Sequence, residues 1–183
     1  MSEYFDIVDQ NGNPTGETIE RNVAHANGIW HRTSHVWLLR LKDNKLQILL
    51  QKRTMSKDSF PGCYDISRAG HIPAGVNFVS SALRELQEEL GITARPEELI
   101  LCGDRKIITD DIFHGKPFHD RQYSRVFVLW RDKDESEFVL QSEEIDSVKW
   151  LDFNACLEAI RHNAIPHCID EEELLLVHKT TEK

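Results

Sequence analysis

Three carboxylates stand out for their spacing. Glu85, Glu88 and Glu89 occupy positions i, i+3 and i+4 in LRELQEELG, so on a helix all three project from one face. Like charges four residues apart cost on the order of a few tenths of a kcal/mol unless a cation compensates. Carboxylate oxygens, completed by a backbone carbonyl such as that of Gly70, by water and by a substrate phosphate, suit Mg²⁺ or Mn²⁺. An ion held there polarises a phosphoryl oxygen, activates water and offsets charge on a leaving phosphate. The plainer alternative is a solvated acidic face.

The element that must position these groups is a helix from about Asn77 to Leu90, stopped by Gly91, which tolerates a left-handed backbone. Val79, Leu83, Leu86 and Leu90 form a separate apolar stripe able to dock on a sheet. Upstream, YFDIVDQNGNPTGE reads as a strand and a tight turn, and Thr18 to His25 as a short helix. TSHVWLLRLKDNKLQILLQKR holds two β-rich runs around Asp43-Asn44-Lys45, a hairpin. A Gly- and Pro-bearing loop runs from Thr54 to Pro73. Downstream, Leu99–Ile108 and Gln122–Trp130 read as strands, with HGKPFHDR a loop between them. Ser147–Leu151 is a short strand, and Asp152–His162 a helix capped by Asp152. Asp170–Val177 is a last helix, followed by a frayed tail, HKTTEK. Strands and helices do not alternate regularly. A mixed sheet flanked by helices, of the α/β (α+β) class, is therefore expected rather than a doubly wound parallel fold.

With 183 residues and no linker, one domain over 1–183 is expected. The formal net charge of −9 argues against a nucleic-acid partner, which favours basic surfaces. It leaves room for a small phosphorylated ligand bridged by a metal. Cys63, Cys102, Cys156 and Cys168 are widely spaced, with no CxxC pair, and suit reduced thiols. The acidic start MSEYFDIVDQ is unlike a secretory signal, and no apolar run reaches the ~20 residues of a membrane span. A cytoplasmic protein without a membrane partner is expected.

The stretch from Gly70 to Ile92 resembles the Nudix box: Gly, five residues, Glu, seven residues, then Arg-Glu-apolar-any-Glu-Glu-any-Gly-apolar. Gly70, Arg84, Glu85, Leu86, Glu88, Glu89, Gly91 and Ile92 match in register. The resemblance implies an α/β/α sandwich around a mixed sheet, with Glu85, Glu88 and Glu89 as metal ligands and Arg84 bracing the loop–helix junction. It also admits a homodimer, since dimers are common in that family. One position departs: Val76 stands where the box has its first Glu, which leaves Arg84 needing another partner.

AHANGIWHRTSHVWLL, LLQKRTMSKDSFPGCYDIS and AGH resemble the branch nearest isopentenyl diphosphate isomerase. That enzyme moves a double bond by proton transfer, without adding water. By the resemblance its cysteine falls at Ala69 and its paired glutamates at Asp120 and Gln122. An alanine can neither donate nor accept a proton, so isomerisation by that route is blocked. His25, His31 and His71 align with the isomerase's metal-binding histidines. Together with His35 they either form a second metal site or hydrogen-bond within the pocket walls, the latter being preferred, and His35 reads as a structural strand histidine. The match is nearer to the isomerase-like bacterial hydrolases, which implies cleavage of nucleoside diphosphates or their derivatives.

A hydrolase also needs a base. Glu85 or Glu88 could serve beside the metal, as could Glu143 or Glu144 from QSEEIDSVKW. Lys52 or Arg53 could meet substrate phosphate, Phe60 or Tyr64 could stack on a base, and His71 could touch substrate. The expected protein is a Mg²⁺- or Mn²⁺-dependent hydrolase of a nucleotide-like small-molecule diphosphate. The alternatives are an isomerase-like activity and a nucleotide-binding protein with weak turnover.

Overall fold

Asn77 and Gly91 bracket the helix that carries the acidic triad. In the computed structural model, which describes residues 3–113 and 115–182, that helix is α2 (Phe78–Leu90). The Asn77 side chain accepts from the Ser80 N–H, and Gly91 closes the helix at φ 64°. A Cβ at Gly91 would stand 2.7 Å from that of Val139, so both the backbone conformation and the space require glycine. The apolar stripe seats Ala82, Leu86 and Leu90 on the sheet, with Val79 packed against them. Leu83 sits at its margin.

The strands are β1 (Tyr4–Val8), β2 (Pro14–Glu20), β3 (His31–Lys42), β4 (Lys45–Arg53), β5 (Tyr64–Asp65), β6 (Arg68–His71), β7 (Ile100–Phe113), β8 (Lys116–Trp130) and β9 (Ile145–Asp152). β1 and β2 pair as a separate antiparallel ribbon. The main sheet runs β5-β4-β3-β8-β7, with β6 joined to β3 and β9 to β4. β3 and β8 are parallel while the other pairs are antiparallel, so the sheet is mixed. Period-two alternation along β3 sends Val36 and Leu38 to the α2 side. Trp37 and Leu39 go to the opposite side, against α3 (Phe153–Arg161) and α4 (Glu171–Thr181). Helices thus cover both faces of the sheet, as the sequence pattern predicts.

Several boundaries differ from expectation. Thr18–Glu20 belong to β2, and the short helix is α1 (Arg21–Asn27), capped by the Glu20 side chain. The Thr54–Pro73 loop contains β5 and β6, too short to show a period. HGKPFHDR is mostly strand: β7 and β8 form one ladder from Ile100↔Val128 to Phe113↔Lys116. Its polarity reads as loop because charge pairs hold the outer ladder, with Asp110 accepting from both His119 and Arg121. His114 lies outside the described residues. The expected frayed tail is helical as far as Thr181.

Candidate active site

The first half of β3 marks the site. His31, Arg32, Thr33, Ser34 and His35 are all buried, a polar run where a central strand is normally apolar. Thr33 and His35 open onto a cavity of about 1190 Å³ whose walls also include Arg68, Gly70, Glu85 and Glu89.

Helix α2 delivers the carboxylates as its periodicity requires. Glu85 and Glu89 turn toward the cavity, and Glu89 is 8% exposed. Burial raises the Glu89 carboxyl above its ordinary range, against the opposing pull of Arg68. Arg68 on β6 is 4% exposed, and its guanidinium joins the two glutamates. Its Nε lies 3.1 Å from Glu89 Oε2, and Nη2 pairs with Glu85. A side chain at position 70 would strike that guanidinium, so Gly70 leaves the room Arg68 needs. Sequence reasoning missed Arg68, because nothing in RAGH ties an arginine to glutamates 17 and 21 residues onward. Glu88 is not among the cavity-lining residues. Its half-exposed carboxylate accepts from Arg84 at 3.0 Å, and Arg84 also pairs with Glu85.

Arg84 therefore finds its partners within the helix. The loop role left open by Val76 goes to β1 and β3. Asp6 accepts from the Gly75 N–H at 3.0 Å and from Arg32 Nη2 at 2.5 Å, while Arg32 also donates to the Val76 carbonyl at 2.9 Å.

Other candidates divide. The segment before β9 docks on α2 through the Gln141 N–H and the Glu89 carbonyl, 3.0 Å apart. That contact carries Glu143 and Glu144 to the cavity wall, where Glu144 pairs with Lys57. Arg53 also lines the cavity and donates to Asp65 at 3.0 Å. Phe60 lines it as well, edge-on to Phe113. Lys52 is not brought there: alternation along β4 puts it on the face opposite Arg53, where it pairs with Asp146 of β9 at 3.4 Å. Tyr64 packs against the core beneath α3 and α4.

A second cluster lies along the same cavity. His25 of α1, His31 of β3, His71 of β6 and Asp120 of β8 offer ligand atoms all within 4.8 Å of one another. His25 Nε2 is 3.3 Å from His71 Nε2, and His31 Nε2 is 3.3 Å from Asp120 Oδ1. His31 Nδ1 donates to the Ile29 carbonyl at 2.8 Å. In a neutral ring that contact fixes the tautomer, with the Nε2 lone pair facing the cluster. Phe5 stacks on His31 and His71 and holds their planes. Burial holds His25 down to about 4 and pushes His71 well below the usual imidazole value, so both offer lone pairs at neutral pH. His31 Nε2 and Asp120 Oδ1 are buried without a hydrogen-bond partner among the described residues, a cost that a bound cation would remove.

Both clusters fit divalent ions by their donor chemistry. The carboxylates of Glu85 and Glu89 already gather around a buried positive charge. Three imidazoles and a carboxylate suit Zn²⁺ or a similar transition ion.

Comparison with known proteins adds the ancestry. A family model described as the NUDIX domain matches residues 31–179. An uncharacterized Nudix hydrolase of Clostridium acetobutylicum is 35% identical over 143 residues, covering 78% of this chain and 66% of that protein. Nudix hydrolase 3 of Arabidopsis thaliana is 37% identical over 155 residues, 82% of this chain but only 19% of that protein. The chain thus spans less than two thirds of either relative. Among solved structures, DR0079 of Deinococcus radiodurans superposes with a TM-score of 0.67 at 19% identity, over 96% of this chain and 98% of the other. No helix among the described residues is long and apolar enough to cross a membrane.

Proposed function

The chain belongs to the Nudix family, and from that premise we propose that it is a divalent-metal-dependent pyrophosphohydrolase. Its substrate is a nucleoside diphosphate, free or joined to another group. The observation that supports this most is the convergence of Glu85 and Glu89 on one buried cation position beside Gly70, at the wall of a large cavity.

Glu85, Glu89 and the Gly70 carbonyl would hold Mg²⁺ or Mn²⁺ there, with Glu88 on the same helix. The bound ion would polarise a phosphoryl oxygen and lower the pKa of a bound water. The chain's own groups do the rest. Arg68 neutralises the carboxylates and, once released from them, is a fork-shaped donor for phosphate oxygens. Glu144 takes the proton of the attacking water. The water oxygen bonds to phosphorus, the bridging P–O bond breaks, and its electron pair departs on the leaving phosphate. Arg53 and Lys57 line the same wall and offset the leaving charge. His25, His31, His71 and Asp120 would hold a second ion in the same cavity, a reading supported by the two unpartnered buried atoms. Isomerisation has little to support it, because Ala69 faces the cavity without a proton to give.

The test is a panel of nucleoside diphosphates and diphosphate-linked nucleotides with Mg²⁺ or Mn²⁺, read by chromatography of the products. Turnover by the wild type that falls at least about 10²-fold in Glu89→Gln is expected, because oriented electrostatic groups contribute on that scale. Binding without product release contradicts the proposal.

A further inference from the structure

Three aromatic side chains in the cavity wall belong to neither half of the core. Phe60 comes from the loop between β4 and β5, Phe113 from the end of β7 and Phe118 from the start of β8. All three line the cavity and are half-buried, and none packs into the apolar clusters on either side of the sheet. They form a row. Ring centroids lie 5.1 Å apart for Phe60 and Phe113, at 72°, and 5.3 Å apart for Phe113 and Phe118, at 76°. Phe118 then tilts onto His25, with centroids 4.7 Å apart. Neither Phe60 nor Phe113 is stacked face to face on another aromatic ring among the described residues.

The backbone beneath Phe60 shows that its position is held. Phe60 sits at φ 48°, in the left-handed region that bulky side chains rarely adopt. A glycine would make that turn without strain, so the turn alone does not call for phenylalanine. Core packing does not offset the strain either, because Phe60 is in neither cluster. The conformation is fixed from both sides instead. Arg53, anchored on Asp65 at 3.0 Å, donates from Nε and Nη2 to the Ser59 carbonyl at 3.2 Å and 3.0 Å. The Cys63 N–H donates to the Phe60 carbonyl at 3.3 Å. Strained positions persist where the surroundings over-determine them, and they gather at ligand sites.

We propose that Phe60 and Phe113 form the nucleobase subsite, on which the planar base of the substrate stacks while its diphosphate lies toward α2. This deepens the hydrolase reading and rests on it, because it assigns a wall to the half of the substrate that the glutamates do not hold. A planar ring suits this wall better than an aliphatic chain. Aromatic rings carry a negative face and a positive edge, so a base gains from stacking and edge contacts beyond the area it buries. Asp58 and Ser59, beside Phe60 in the loop, line the same cavity and bring an acceptor and a donor of the kind a base edge reads.

The test titrates adenosine, guanosine, cytidine and uridine into protein carrying ¹³C-labelled phenylalanine rings, with Mg²⁺ present. Phe60→Leu and Phe113→Leu assign the ring signals, and D-ribose and isopentenol are the controls without a base. At least one nucleoside is expected to shift the Phe60 and Phe113 ring signals saturably, while ribose leaves them unmoved. Affinity for that nucleoside should fall about tenfold or more in Phe60→Leu, which keeps an apolar side chain and removes the ring. Ring signals that no nucleoside moves, or equal affinity in Phe60→Leu, overturn the proposal. Isopentenol that binds as tightly as the best nucleoside also overturns it, since the wall then takes any apolar group. Should Phe60→Leu fail to fold, the wild-type ring shifts decide alone. Nucleoside diphosphate turnover that Glu89→Gln abolishes, beside nucleoside binding that ignores Phe60, keeps the hydrolase reading and removes this one. A wild type that turns over no nucleoside diphosphate, free or linked, removes both.

Discussion

Replacing Arg68 with methionine keeps most of the side chain's volume and deletes its charge. In the folded protein this leaves Glu89 without its ion-pair partner and Glu85 with Arg84 alone. At 3.1 Å from Glu89 Oε2, the Arg68 charge contributes on the order of 5 kcal/mol of gross attraction at an effective dielectric near 20. The desolvation of a side chain 4% exposed offsets part of that. Removing one partner of such a buried pair typically costs about 3–5 kcal/mol, which for a chain of this size lowers Tm by roughly 6–20 °C. Mn²⁺ acts in the opposite sense. In the wild type an entering ion must displace Arg68, whereas in Arg68→Met the position between the two carboxylates carries no competing charge. The variant should therefore bind Mn²⁺ more tightly, by roughly 5- to 150-fold if the coupling has a common magnitude. Calorimetric unfolding with and without Mn²⁺ reads both effects: the Tm deficit of the variant should shrink as the ion is added. A variant whose deficit is unchanged by Mn²⁺, or which binds the ion more weakly than the wild type, would refute the idea that Arg68 and the ion share one position.

Three further outcomes are expected. Asp6→Ala strands a buried guanidinium at Arg32 and frees the Gly75 N–H, so urea unfolding should show a loss of about 3 kcal/mol or more. Because His25 is depressed from 6.5 to about 4, its contribution to stability is present above pH 6.5 and lost as pH falls toward 4. Metal-free protein should lose Tm across that window, and a loss absent there contradicts the neutral cluster. Co²⁺ added to the wild type should give visible d–d absorption from nitrogen ligation at His25, His31 and His71, diminished in Asp120→Asn. A spectrum indistinguishable from aqueous Co²⁺ removes the second ion position.

What the sequence made legible was mostly local. Helix α2 could be read because Asn77, Gly91 and the 3.6-residue stripe agree within fourteen residues, and the face shared by Glu85 and Glu89 followed from spacing alone. The hairpin at Asp43-Asn44 was legible for the same reason, with both residues at positive φ as a tight turn demands. The parts that escaped are long-range pairings. Arg68 meets Glu85 and Glu89 only because β6 joins β3 beneath α2. His35 read as a structural histidine, but its carboxylate partner, Glu173, lies 138 residues away on the last helix. Asp120 fell in a stretch read as loop, since charge pairs rather than apolar alternation hold the outer β7–β8 ladder. Lys52 looked like a phosphate ligand beside Arg53, but successive residues of a strand face opposite sides, and only Arg53 reaches the cavity.

Ion binding at the acidic wall of that cavity is the central requirement. Crystals grown with Mn²⁺ and measured at its absorption edge test this directly. The expected result is an anomalous peak bonded to Glu85 and Glu89 oxygens beside Gly70, with the Arg68 guanidinium moved off the carboxylates. An Arg68 still bridging both glutamates, with no peak there at saturating Mn²⁺, would contradict it.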